Sequence, residues 1–119
     1  MWWRIAGVTG ALAVLLGAFG AHGLKQSVHD PHLLEVWDTG ARYHLAHALA
    51  LGLVAAHPRR PVVAGVAFGL GILLFSGSLY AMTLTGARAL GAITPLGGLA
   101  FITGWGALAV SPPRPAEPT

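Results

Sequence analysis

IAGVTGALAVLLGAFGAHGL, residues 5–24, runs from Arg4 to Lys25 without a formal charge. As a helix rising about 1.5 Å per residue it reaches about 30 Å, the thickness of a bilayer's hydrocarbon core. MWWR gives a short basic start, and AFG resembles a small-residue cleavage site, so a secretory leader is the competing reading. The apolar run is longer than a leader's usual core of about 7–15 residues. It reads as a membrane span.

The rest of the chain supports that solvent. Of 119 residues, 55% are hydrophobic and 9% charged, with a mean hydropathy of +0.67. Soluble domains carry about 25% charged residues, so this chain could not coat a globular surface with polar groups. Seven Lys and Arg against four Asp and Glu give a net charge of +3. The basic residues are scattered singly apart from Arg59-Arg60, with no stripe suited to nucleic acid. Cysteine is absent, so a metal site would need nitrogen and oxygen ligands.

Three more apolar runs follow, at about 41–57 (closed by PRRP), 62–84 (ending at TGAR) and 90–110. The reading is an all-α, integral membrane four-helix bundle occupying residues 1–110. SPPRPAEPT, residues 111–119, has four prolines and reads as a disordered tail. In the connector KQSVHDPHLLEVWDTG, Asp30 can cap a short helix with Pro31 at its first position. Leu33, Leu34 and Trp37 share a face opposite Glu35, which predicts a short interfacial amphipathic helix between helices 1 and 2, with Gly40 ending it. Four spans place both termini on one side, with Arg4, Arg59, Arg60 and Arg114 there and Lys25, Arg42 and Arg88 opposite. That excess of one favours cytoplasmic termini, in an inner (plasma) membrane if the protein is bacterial.

Helices in lipid associate through close packing, which small residues permit. Ala13, Gly17 and Ala21, then Ala48 and Gly52, then Gly65 and Gly69, fall at four-residue spacing, and Gly98 shares a face with Thr94 and Trp105. These are the expected packing positions. Pro95 removes a hydrogen bond to the Gly91 carbonyl inside the last run.

Polar residues gather by depth. His22 lies late in run one, and Arg42, Tyr43, His44 and His47 lie early in run two. Ser76 and Tyr80 lie late in run three, and Thr94 early in run four. With alternating helix direction all occupy the half of the bilayer away from the termini. His44 and His47 differ by about 60° around a helix, so both can face the bundle. Three readings of the cluster stand open. It is a set of cross-helix hydrogen bonds; or a pocket for a small molecule, quinone headgroup or lipid; or a metal or haem site drawing on His22, His44 and His47. The metal reading is short of ligands, since a catalytic tetrahedral site takes about three from the protein and a structural one four. No carboxylate lies within a span and no HExxH, GxSxG or Walker pattern occurs, which argues against an enzyme.

GAFGAHGL (17–24), TGARYHLAHALAL (39–51), FSGSLYAMTLTG (75–86) and LGAITPLGGLAFITGW (90–105) together resemble one family. It is the small integral membrane proteins of domain of unknown function 423, with YgdD-like bacterial and transmembrane protein 256-like animal members. The likeness covers about residues 5–110. It implies a four-span membrane protein and supplies no established activity; the matching motif positions are His22, Tyr43, His44, His47, Ser76, Tyr80, Thr94 and Pro95. The function expected is a non-enzymatic accessory or assembly component of a membrane complex, partnered by the lipid bilayer and by another membrane protein or a second copy. Ligand binding at the polar cluster, and small-solute transport by an oligomer, are the alternatives.

Overall fold

The computed structural model describes residues 1–112. The tail read as disordered therefore lies, from residue 113 on, outside the described residues, as does Arg114. The described chain is all-helical, without a strand among the described residues. Helix α1 spans Trp2–Ala21 and runs into a 3-10 turn at Gly23–Gln26. Helix α2 spans Pro31–Ala56. Helix α3 runs over Val62–Thr85 with a π-helical turn at Ile72–Ser76. A 3-10 turn at Arg88–Ala92 leads into α4, Thr94–Ala109. Three stretches, Trp2–Gln26, Val62–Thr85 and Arg88–Ala109, are long and apolar enough to cross a membrane.

The start of α2 has a local cause. Asp30 is extended and its side chain accepts the His32 backbone N–H at 2.9 Å, while Pro31 occupies a position whose N–H would be orphaned anyway. No separate interfacial helix follows. The connector helix is continuous with the second apolar run, and Gly40, expected to end it, lies inside α2. Glycine inside a helix costs about 1 kcal/mol against alanine. Here it admits α3, because a Cβ at Gly40 would come within 3.2 Å of Leu79 Cβ and 3.3 Å of Tyr80 Cε1. The earlier start also moves the histidines. His44 stands thirteen residues after Pro31 and twelve before Ala56, at the middle of α2 rather than near its mouth.

Each helix runs antiparallel to its neighbour in sequence. Trp37 donates to the Leu16 carbonyl while Ala48 lies beside Gly10. Thr83 reaches Leu33, Ser76 reaches Gly40, and Phe68 packs on His47. Along α3 and α4, Phe75 meets Gly97, Gly71 meets Phe101, and Phe68 meets Gly104. At Gly86 the chain turns left-handed (φ 73°) and its N–H closes α3 on Met82, a conformation glycine adopts without strain. Pro95 sits in the first turn of α4 and so begins that helix instead of interrupting it.

The apolar core is Ala50, Leu51 and Val54 of α2 with Ala64, Phe68 and Ile72 of α3 and Phe101 of α4. Outside it every helix exposes rows of large apolar side chains, including Val8, Leu12 and Leu15, then Leu45, Leu49 and Leu53, then Val66, Leu70 and Leu73, then Leu99 and Ile102. In water such contiguous surfaces would be a liability.

Candidate functional site: two faces of one helix

The least apolar helix is the most enclosed. Ten residues of α2 are buried, among them Trp37, His44 and His47, whereas α1 buries Ala13 alone. In lipid an ionisable side chain at mid-depth turns inward and takes partners. The two histidines do so in different ways, on two faces of α2.

His47 sits in an aromatic box. Its ring stacks on Phe101 with centroids 3.5 Å apart and 12° between planes, and Phe68 and Trp105 flank it at 5.7 and 5.9 Å. Trp105 Nε1–H donates to His47 Nε2 at 3.1 Å. An indole nitrogen only donates, so Nε2 is the acceptor and the ring proton is on Nδ1. That proton is donated to the Tyr43 carbonyl at 2.7 Å. Both ring nitrogens are used, and the imidazole is held as one neutral tautomer.

His44 borders open space. Its Nδ1 shares a 2.9 Å hydrogen bond with the Tyr80 hydroxyl. The ring also meets the Thr9 backbone of α1 as a hydrogen-bond partner. His44 and Tyr80 line a groove of about 550 Å³ between α1 and α3, walled by Ile5, Thr9 and Leu12 on one side and Gly69, Leu73 and Gly77 on the other. Trp2 closes one end, its ring lying where a Cβ of Gly65 would be.

The remaining polar side chains tie helices together. Ser76 donates to the Gly40 carbonyl at 2.7 Å, and Thr83 bridges the Leu33 and Leu79 carbonyls. Ser78 and Thr94 share a 2.6 Å hydrogen bond between α3 and α4. Among the described residues no buried side-chain nitrogen or oxygen lacks a partner. The π turn separates the two roles on α3: Gly69 and Tyr80 line the groove, whereas Ser76 and Thr83 face α2. A wider turn shifts the phase of everything after it.

The other candidate residues fall elsewhere. His22 caps the end of α1, exposed, and makes no side-chain hydrogen bond among the described residues. Arg42 is exposed and pairs with Asp38 at 2.9 Å. Tyr43 is half-exposed and packs on Phe75 at 4.6 Å. No three His, Cys, Asp or Glu among the described residues gather where they could hold a metal ion. His22, His44 and His47 are thus not drawn into one ligand set: the first faces outward, and the last has no free lone pair.

The expected packing positions divide as well. Ala13 and Ala48 are buried and Gly65 meets Trp2, but Ala21 is exposed, and a Cβ at Gly17, Gly52, Gly69 or Gly98 would meet nothing within 4 Å. The tightest approach is at Gly97, where a Cβ would fall on the backbone nitrogen of Phe75 in the π turn. The buried face of α4 is accordingly Gly97, Phe101 and Gly104, one position away from Gly98. Trp105, Phe101 and Trp37 are the contributors that sequence spacing did not assign to the cluster.

Comparison with known proteins adds identity without an activity. The family described as "Protein of unknown function (DUF423)" matches residues 16–98. The membrane protein YwdK of Bacillus subtilis is 48% identical over 107 residues, covering 85% of this chain and 86% of that protein. A membrane protein of Schizosaccharomyces pombe is 42% identical over 115 residues, 91% and 98% of the two chains. The inner membrane protein YgdD of Escherichia coli is 39% identical over 110 residues, 88% and 83% of the two. No solved structure matches the chain.

Proposed function

This chain belongs to the DUF423 family, membrane proteins of unknown function, and from that premise we propose that it is a four-span, non-enzymatic component that packs against a partner within the bilayer. In this reading α2 is the fourth span, enclosed by the three more apolar helices, and the termini lie on the side with more Lys and Arg. Chemistry has little support: every buried polar side chain described is engaged in packing the helices, and the acids Asp30, Glu35 and Asp38 are exposed.

The observation that carries the partner is the outer face of α1. Gly7, Ala11 and Ala18 are exposed on it, at spacings of four and seven residues, and a Cβ at Gly7 would meet nothing within 4 Å. Small residues in lipid let another helix backbone approach. This stripe is unused within the chain, since the helix turns Ala13 inward instead. The stripe fits a second membrane helix, from another protein or another copy. Extraction in mild detergent at native expression should recover the chain with a stable companion or as an oligomer by native mass spectrometry. A Gly7→Ile, Ala11→Ile double variant should lose that species while keeping its helical circular dichroism. Recovery as a lone monomer throughout would overturn the reading.

A further inference from the structure

We propose that the cleft between the start of α1 and the turn joining α2 to α3 binds the phosphate of an anionic phospholipid, with Arg60 as the residue that selects it. The inference rests on the bilayer and on this end of the bundle, and it uses neither Gly7 nor Ala11. The cleft, of about 310 Å³, is lined by Met1, Trp2, Trp3, Ala55, Arg60 and Val62. These residues stand where α1 and α3 begin and α2 ends, the headgroup level for spanning helices. Tryptophan is enriched at that level. Arg60 is the one charged side chain among the described residues of an otherwise apolar lining.

His57 fixes the turn that carries it. The Arg59 N–H donates to His57 Nδ1 at 3.0 Å, and the Arg60 N–H donates to the His57 carbonyl at 3.0 Å. With Nδ1 accepting, the ring proton is on Nε2 and is donated to the Ser111 carbonyl beyond α4. Arg60 itself is left-handed (φ 43°), the only non-glycine residue so placed among the described residues. Such strain persists only where surrounding contacts impose it, and it clusters at ligand clamps. The turn thus holds an arginine over a tryptophan-lined cleft, in a conformation that glycine would adopt freely.

Charge decides the ligand. A guanidinium matches a phosphate with two parallel N–H bonds. Arg59 adjoins it, and the described acids, Asp30, Glu35 and Asp38, stand at or near the other end of α2. An ammonium-bearing headgroup would find no carboxylate at this end among the described residues, so a net negative phosphodiester fits better than a zwitterionic one. Trp3, Val62 and Val63 are exposed beside the cleft and give acyl chains an apolar wall.

The test is native mass spectrometry of the full chain released from detergent micelles, with phosphatidylglycerol, phosphatidylcholine or inorganic phosphate added. Expected is one phosphatidylglycerol per chain, held about fivefold more tightly than phosphatidylcholine, the effect of about one basic residue at a membrane surface. Arg60→Gly should lose that preference while keeping or raising the detergent-unfolding midpoint, because glycine takes the same φ without strain. Should Arg60→Gly lose its helical circular dichroism, Arg60→Asn, which also tolerates left-handed backbone, replaces it. Equal binding of the two lipids, or a preference unchanged in the Arg60 variant, overturns the site. Displacement of the lipid by inorganic phosphate overturns the lipid assignment. The Gly7→Ile, Ala11→Ile variant should keep the preference, so that loss of the partner and loss of the lipid are read separately.

Discussion

One turn of α2 separates two histidines with opposite situations. On the His47 face three aromatic rings close around the imidazole and both nitrogens are engaged. On the His44 face one nitrogen is engaged by Tyr80 and the ring borders a groove. Both are 5% exposed, so burial does not distinguish them; the packing around them does. His47 is closed in by stacked rings, whereas His44 borders open space between α1 and α3. The difference has a cause in packing. On the closed side, α4 comes to within backbone contact of α3, at Gly97 against Phe75. On the open side α1 and α3 stand apart, and glycines line the α3 wall.

The closed side should therefore break first and hardest when the helix approach is blocked. Gly97→Leu forces a side chain onto the Phe75 backbone, which no rotamer change relieves. Overpacking costs about 1–3 kcal/mol and occasionally more, and a clash with backbone belongs at the upper end. Gly98→Leu, one residue on, points into open space and serves as the control. The measurement is loss of helical circular dichroism on titration with sodium dodecyl sulfate. Equal midpoints for the two variants would deny the close approach at Gly97.

Second in size is His47→Phe. Phenylalanine keeps a ring against Phe101 but loses the bond to the Tyr43 carbonyl and leaves the Trp105 N–H without an acceptor. Cross-helix hydrogen bonds in lipid average about 0.6 kcal/mol, and an unsatisfied donor costs about 1–3 kcal/mol, so a loss of about 2 kcal/mol is expected in the same titration. Trp105→Phe, which removes the donor as well, should recover part of it in the double variant. No recovery would mean that the two rings are not coupled.

How much of this could be read beforehand follows from what each feature depends on. The all-helical class, the membrane and the family come from bulk properties and extended motifs, such as twenty uncharged positions in a row. The cap at Asp30-Pro31 is local chemistry, legible for the same reason. The extent of α2 was not legible, because Gly40 looks like an end until α3 is known to lie on it. That shift carried His44 and His47 from the mouth of the helix to its middle. The faces of α3 and α4 depend on the π turn, which changes helical phase after Ile72 and has no signature in spacing. With 17 glycines in the chain, four-residue spacing arises too easily to distinguish Gly97 from Gly98. The pairing of Trp105 with His47 joins residues 58 apart in sequence, and only tertiary packing specifies it.

The smallest effect on stability is expected at His44, which borders the groove. His44→Phe removes the hydrogen bond with Tyr80 and the ring's contact with the Thr9 backbone. Tyr80 borders the groove, so its hydroxyl keeps room to reorient, and the cost should stay near the lipid average of about 0.6 kcal/mol. In the detergent titration His44→Phe should then fall close to the parent, well above His47→Phe, although the two substitutions are chemically identical. Tyr80→Phe should cost no more, since it removes only the bond the two share, and the double variant should cost no more than His44→Phe alone. Were His44→Phe as damaging as His47→Phe, the Thr9 contact would have to hold α1 in place. The groove would then be a seam closed by its own histidine, and the two faces of α2 would differ only in the residues that line them.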